Sequence, residues 1–296
     1  MKVIISGHSS FYMRGSWLNK LFYKVFEHDT TKKIDKTFFS KGNLIEAIDI
    51  LGIGSKMVES LKYWIDIFGI VDKKGENLEL SECAQMIFKL DPYLENKNSL
   101  WLLHSNILTK EDEKVLIWDL VFSSNITSTF TKESLEKRAE HYCLENKIKY
   151  SKKTLVDTIN VFIKTYLKEE KTSIDPEENI VSPFVKLGYL SEYQGVYKVK
   201  NIERKEISDY LIYYLFIKKL KTMGVTNQIT ISEAYDYINK IIKISYLEFE
   251  KIIQFLENEK EIYVDRAVGL QNITIDIQKY SEKEVIEKIL ESELVE

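Results

Sequence analysis

The sequence is poor in residues that interrupt or cross-link a chain. Its 296 residues include only 3 prolines, 11 glycines and 2 cysteines. Cys83 and Cys143 form no CxxC pair, so the pattern supports neither a zinc knuckle nor a disulfide framework. A composition of 44% hydrophobic and 30% charged residues is typical of an ordered, helix-rich protein. The length predicts two or three folded modules.

Long apolar runs are also missing. Nowhere do 18 apolar residues follow one another, and the apolar stretch within residues 1–7 is too short for a signal peptide. We therefore expect no membrane partner and a cytoplasmic location.

Arginine is scarce, and the net charge is −4. This balance argues against a protein that coats nucleic acid, because such binding needs many basic side chains. The charge is uneven, however: residues 1–75 carry 12 basic and 8 acidic side chains, whereas residues 276–296 carry 3 and 7. A modest DNA contact by the amino-terminal part is one interpretation, and a solvated lysine-rich surface is the other. Base contacts would depend mainly on Lys, Asn, Gln and Ser.

Common enzyme signatures are absent. The sequence contains no GxxxxGK[ST], no GxSxG and no kinase motif, and its four histidines form no metal-binding spacing. Gly52-Ile53-Gly54 follows a predicted helix rather than a strand and lacks the third glycine of a dinucleotide site. We therefore predict no enzymatic activity, no cofactor and no metal.

Residues 38–88 show the most informative pattern. Apolar residues recur at helical spacing over residues 43–51 and 55–68, and glycines separate the two segments. A strand, a glycine turn and a second strand follow over residues 70–80, and a helix closes the module. This order is typical of a winged helix-turn-helix.

Similar patterns follow twice. Thr131 is predicted to cap a helix over residues 131–146, and a helix from residue 151 and a hairpin ending at Val199 come next. The third set has helices at 207–221, 232–242 and 247–258, then two strands paired across Gly269. We predict a mainly α fold with small β-hairpin wings, built as tandem winged helix-turn-helix-like modules. The predicted domains are 1–95, 96–203 and 204–296, and the four tryptophans are expected in the core.

The candidate DNA contacts lie on the second helix and the wing of each module. Lysines there would contact phosphates, and Ser and Asn would contact bases. Glu59 counts against the idea, because a carboxylate repels phosphate. Winged helices also dock proteins, so a protein interface is the alternative. The candidates are Ser55, Lys56, Lys62, Tyr63, Lys73, Lys74 and Asn77 in the first module and Lys152 and Lys153 in the second.

His8 and Arg14 are candidates for phosphate contact, since a loop after a short strand places them near two serines. The alternative is structural: Gly7 would allow a tight turn, and both side chains would fix the amino-terminal strand to the first module. A nuclease or hydrolase site at these residues ranks last.

Several motifs resemble an uncharacterised bacterial family of unknown function. Its amino-terminal signature is G-H-x-[ST]-F, followed by an arginine and W-L-x-K, and a second run reads D-P-Y-L-E…L-W-L-L-H. The chain departs from the family at Ser9, where an acidic residue is usual. The matching residues are Gly7-His8-Ser9-Ser10-Phe11, Arg14, Trp17-Leu18-Asn19-Lys20, Asp91-Pro92-Tyr93-Leu94-Glu95, Leu100-Trp101-Leu102-Leu103-His104, Thr154-Leu155, Asp157, Phe162, Tyr166, Ser182-Pro183-Phe184, Leu187-Gly188 and Gly269-Leu270-Gln271.

Members of that family are encoded near DNA-modification and phage-defence genes, including sulfur-modification systems, so the resemblance implies a DNA-linked role. The sequence thus predicts a non-enzymatic DNA-binding accessory protein of such a system, with DNA as partner. The alternative is an adaptor that docks a larger defence or modification enzyme.

Overall fold

The structure is a computed structural model that describes residues 1–123, 128–168, 180–224, 227–266 and 271–294. The chain divides into two compact units, Met1–Lys200 and Asn201–Glu296. The predicted division into domains 1–95, 96–203 and 204–296 stays a prediction. The chain is mostly helical with small antiparallel sheets, as predicted.

The first part of unit 1 contains the predicted pair of helices and the hairpin. Gly52 ends the first helix of the pair in the left-handed conformation, at a φ of 59°, which glycine adopts without steric cost. The elements are β1 (Lys2–Ile4), α1 (Gly15–Lys20) with a π-helical turn (Leu21–Val25), β2 (Ile34–Asp35), α2 (Leu44–Leu51), α3 (Ser55–Ile67), β3 (Val71–Lys74), β4 (Asn77–Leu80) and α4 (Glu82–Leu90).

The second part of unit 1 repeats the order of strand, two helices and hairpin. Thr131 and Ser134 form the predicted cap at the start of the first of these helices, since each side chain bonds the other residue's backbone N–H. The elements are α5 (Lys97–Leu108), β5 (Glu113–Val115), α6 (Leu116–Trp118), β6 (Thr129–Phe130), α7 (Lys132–Glu145), α8 (Lys152–Tyr166), β7 (Leu190–Tyr193) and β8 (Val196–Val199).

Unit 2 has the same order again. The predicted turn residue Gly269 lies outside the described residues. The elements are α9 (Asp209–Met223), β9 (Gln228–Thr230), α10 (Ile231–Ile241), α11 (Tyr246–Asn258), β10 (Ile262–Asp265), β11 (Asn272–Ile275) and α12 (Glu282–Glu291).

Three sheets among the described residues share one topology. Their strand orders are β2-β4-β3, β6-β8-β7 and β10-β11-β9. In each sheet the strand that precedes the two helices pairs with the second strand of the hairpin, and all these pairs are antiparallel. A separate parallel pair joins β1 to β5, more than a hundred residues away along the chain.

Aromatic packing connects the two parts of unit 1. The Trp64 ring of α3 lies 5.9 Å from the Trp118 ring of α6, and Phe68 stacks on Phe184 at 5.2 Å. All four tryptophans are buried, as predicted. These rings join the two parts of unit 1 into one hydrophobic core. Across the described residues, no helix has the length and apolarity needed to span a bilayer.

Candidate nucleic-acid interface

Helix α3 has one buried side and one exposed side. Val58, Leu61 and Trp64 face the core, whereas Lys56 and Lys62 are exposed to solvent, as the helical spacing predicts. Ser55, the first residue of the helix, is also exposed.

Tyr63, one of the predicted DNA contacts, does not face outward, so the structure contradicts its place among them. Only 9% of the residue is exposed, and its hydroxyl is enclosed without a hydrogen-bond partner among the described residues. The loop of residues 7–14 covers this edge of α3. A Cβ atom on Gly7 would lie 2.5 Å from Cδ2 of Tyr63, so glycine permits the contact. Burial also raises the pKa of Tyr63.

His8 connects α3 to α8. Its ring lies 5.5 Å from the Tyr63 ring, edge to face. The backbone N–H of Ser10 donates to Nδ1 (3.2 Å), so Nε2 carries the proton and donates to Oγ1 of Thr158 (3.1 Å). The Thr158 hydroxyl is in turn 3.0 Å from the carbonyl oxygen of Ile5, which can accept its proton.

The imidazole of His8 is neutral at pH 7. Burial lowers its pKa from 6.5 to about 4, although the nearby Asp157 carboxylate raises it. Because the residue is only 2% exposed, it is not placed to contact a phosphate in this structure. Its contacts favour the structural interpretation of the two made from the sequence.

Arg14 lies beside the amino-terminal end of α3. Its guanidinium stacks against the rings of Phe11 (5.5 Å) and Trp17 (5.9 Å), and Nη1 is 3.8 Å from Sδ of Met57. A groove of about 620 Å³ opens there, lined by Arg14, Lys20 and the turn between α2 and α3 among others. Phosphate contact at Arg14 stays a prediction.

The exposed side of α3 carries two lysines and two partly exposed carboxylates, Glu59 and Asp66. The Lys56 ammonium lies 2.8 Å from the Glu59 carboxylate, and the Ser9 hydroxyl donates to the same oxygen (3.2 Å). The bond from Lys56 contributes most to lowering the pKa of Glu59, and Ser9 and the nearby Lys41 contribute further. Lys62 donates to a backbone carbonyl at 3.3 Å and has no described carboxylate within 4 Å. Lys56 and Lys41 therefore both act on the Glu59 carboxylate, whereas Lys62 is exposed without an anionic partner among the described residues.

The hairpin formed by β3 and β4 carries two lysines and three acidic residues, and both lysines are paired. Lys73 lies 3.4 Å from Asp66 of α3, and Lys74 lies 3.0 Å from Glu79 of the neighbouring strand. Asn77 is half-buried and lies opposite Lys74 in the hairpin.

Helix α8 exposes Lys152 and Lys153 at its amino-terminal end. Lys152 lies 3.3 Å from Glu136 of α7, whereas Lys153 has no carboxylate within 4 Å in the described part of the chain. Of the predicted lysines, Lys62 and Lys153 are thus the two without an anionic partner there. Since His8 touches both α3 and α8, the structure brings the two predicted helices together around one loop.

A family model described as "Protein of unknown function (DUF4007)" matches residues 5–291. The chain belongs to this family. No curated protein is significantly similar to its sequence.

Two solved structures resemble this DUF4007 protein in fold. They are described as "Magnesium ion-bound SspB crystal structure" and "SspB crystal structure". Each has 18% sequence identity and a TM-score of 0.76, and the alignment covers 93% of this chain and 84% of the other. At this identity the similarity concerns the fold.

One of these two structures is described as bound to a magnesium ion. Mg²⁺ is held mainly by carboxylate oxygens and water. Within the described residues, no group of three or more His, Cys, Asp or Glu side chains converges. Ser9 donates a hydrogen bond to Glu59 and adds no second carboxylate beside it. The described residues therefore do not fit a carboxylate-rich metal site.

Sequence reasoning missed Lys41, Thr158 and the role of Ser9 at this surface. Gly7 was the available signal, because a glycine after a short strand indicates close approach of another segment. Which helix approaches it depends on tertiary contacts.

Proposed function

We propose that this DUF4007 protein binds duplex DNA through α3 and α8, as a non-enzymatic accessory component of a bacterial DNA-modification or phage-defence system. The observation that carries the proposal is the link made by His8. The His8 side chain contacts both α3 and α8, which are the second helices of two successive modules. Both helices carry exposed lysines.

The strand order supports a winged-helix interpretation of these modules. A winged helix-turn-helix places two helices between a first strand and a hairpin, and its second helix and wing contact DNA. Unit 1 has this order twice, with sheet orders β2-β4-β3 and β6-β8-β7. Helices α3 and α8 occupy the second-helix position in their modules.

The charges support a modest, salt-sensitive contact. Lys41, Lys56, Lys62 and Lys153 are exposed on or beside the two helices. About four phosphate contacts correspond to a slope of roughly −3 to −4 in a plot of log affinity against log salt concentration. The family resemblance, with its DNA-modification and phage-defence gene neighbours, supports DNA as the polyanion.

The test is a titration of a fluorescently labelled duplex, followed by anisotropy across a salt series. The double variant Lys56→Glu/Lys62→Glu should lose at least about tenfold in affinity at low salt and show a shallower slope. The matched control is Lys221→Glu/Lys283→Glu, which makes the same charge change at exposed positions of unit 2. Absence of binding to any duplex at low salt, or an equal loss in the control, would overturn the proposal.

One observation favours protein docking as the second candidate. Four of the predicted DNA-contacting lysines are already paired with carboxylates: Lys56, Lys73, Lys74 and Lys152. Balanced ion pairs at a surface suit a polar protein interface. If duplex binding is absent, this adaptor function becomes the leading hypothesis.

A further inference from the structure

Three aromatic side chains form a surface cluster within unit 1, which we call the aromatic platform: Tyr23, His28 and Tyr93. The Tyr23 ring lies 4.2 Å from the His28 ring and 6.1 Å from the Tyr93 ring. Tyr93 is 62% exposed, and His28 is also exposed. Neither tyrosine takes part in the interface formed by α3 and α8.

The aromatic platform is attached to the hydrophobic core. Phe22, beside Tyr23, stacks on buried Phe88 of α4 at 4.5 Å with the ring planes 10° apart. The Phe22 ring also lies 5.2 Å from Tyr23 and 6.0 Å from His28. Tyr23, which is half-buried, and His28 therefore rest on aromatic packing, so little of their side-chain freedom remains to be lost when a ligand binds.

The backbone that carries Tyr23 and His28 is unusual. Tyr23 lies in the π-helical turn Leu21–Val25, where the N–H of Phe26 donates to the carbonyl of Leu21 at 3.1 Å. Glu27 and His28 follow with φ values of 52° and 63°, a conformation that non-glycine residues rarely adopt. Such strained segments and π-helical turns are frequent at functional sites.

The loop that carries Tyr93 is held from several sides. The buried Asp91 carboxylate accepts hydrogen bonds from the N–H of Glu95 (2.8 Å), the N–H of Asn96 (3.1 Å) and the Ser99 hydroxyl (2.6 Å). Two further side chains bind carbonyls on either side of Tyr93: Asn19 contacts that of Pro92 (3.2 Å), and Lys186 contacts that of Leu94 (3.1 Å). The D-P-Y-L-E motif thus forms a rigid loop, and its tyrosine projects outward.

We propose that the aromatic platform binds single-stranded DNA by stacking an unpaired base on the Tyr23 and Tyr93 rings. Every base has a π-face, so aromatic rings bind single strands with little sequence preference. Lys24, next to Tyr23, is exposed and has no carboxylate within 4 Å among the described residues, so it can contact the phosphate beside the stacked base. The nearest acid along the chain, Glu27, is neutralised by Lys32 at 2.9 Å.

The size of the aromatic platform favours a base over a protein. A stable protein interface buries about 800 Å² on each partner around an apolar centre. Three rings are far smaller than that and match one or two bases. The inference rests on the proposed function in that both name DNA as ligand, but it uses different residues and a different form of DNA.

The test uses a short single strand of thymidines that contains one 2-aminopurine, whose fluorescence changes when the base stacks. Tyr23→Ala/Tyr93→Ala should weaken binding at least about tenfold and abolish the fluorescence change, because stacking on aromatic rings supplies much of the affinity. Tyr23→Phe/Tyr93→Phe keeps the rings and should bind within about twofold of the wild type. Tyr263→Ala, at a tyrosine of unit 2 that is 66% exposed, is the matched control and should change nothing.

The outcomes separate this inference from the duplex proposal. Loss of single-strand binding in the alanine variant, with duplex affinity retained, supports the aromatic platform. Unchanged single-strand binding in that variant, or equal loss in the phenylalanine variant, overturns it. The duplex proposal is tested separately by Lys56→Glu/Lys62→Glu, so either can fail alone.

Discussion

Helices α3 and α11 occupy the same place in two modules of the same topology, yet their exposed sides differ. Helix α3 presents lysines around Glu59, whereas α11 begins with exposed Tyr246 and Leu247. The units differ likewise: residues 1–200 hold 29 basic and 28 acidic side chains, and residues 201–296 hold 13 and 18. Equal topology therefore does not imply equal function, and DNA contact is expected of unit 1.

The stability of unit 1 should depend on pH more than that of unit 2, because all four histidines lie in unit 1. The pKa of His8 is about 4 in the folded chain and 6.5 ordinarily, so the unfolded chain binds the extra proton first as the pH falls. Stability should therefore decrease between pH 6.5 and pH 4 by roughly 3 kcal/mol, with no further loss from this residue below that range. Urea unfolding followed by tryptophan fluorescence reports on unit 1, which contains all four tryptophans.

The control for this experiment is His8→Gln, which does not titrate. The difference in stability between wild type and variant should shrink as the pH is lowered through this range. A difference that stays constant would show that His8 is not buried as described.

A second test concerns the close approach that distinguishes α3. Gly7→Ala would place Cβ 2.5 Å from the Tyr63 ring, so we expect a loss of about 1–3 kcal/mol in the free energy of unfolding. Gly54→Ala is the comparison, since its new Cβ meets nothing within 4 Å; it should cost less, about 0.5–1 kcal/mol, because alanine is a poorer N-cap than glycine. Denaturant midpoints measure both, and equal midpoints would contradict the burial of Tyr63.

The smallest expected effects are those of removing one exposed lysine from each unit. Lys73→Ala on the wing of the first module should leave stability nearly unchanged, because exposed ion pairs contribute little. It should reduce the slope of duplex affinity against salt by about one. Lys251→Ala on α11 removes a comparable exposed pair with Glu248 and should leave that slope unchanged. A similar change in both variants would mean that the units do not differ in DNA contact.

Local patterns predicted the helices and hairpins well. Helix α2 ends at Leu51 because Gly52 follows, and the periodicity of α3 separates Lys56 and Lys62 from the core. The prediction for Tyr63 failed because its exposure does not follow from local periodicity. It lies at the edge of the helical face, where burial depends on whether another segment packs there.

The pairing of β1 with β5 and the link from His8 to Thr158 were not predicted. Each joins residues more than a hundred positions apart. Helix and strand periodicities describe only neighbouring residues, so they carry no information on such contacts.

The sequence alone determined the helical composition, the three successive hairpins and the lysine-rich character of residues 1–75, because spacing, glycine turns and charge are local properties. Only the tertiary structure decided that the first two modules share one core, that His8 is buried between α3 and α8, and that Tyr93 projects beside Tyr23. Those arrangements result from packing between distant segments, where the shapes of whole surfaces determine which side chains remain exposed.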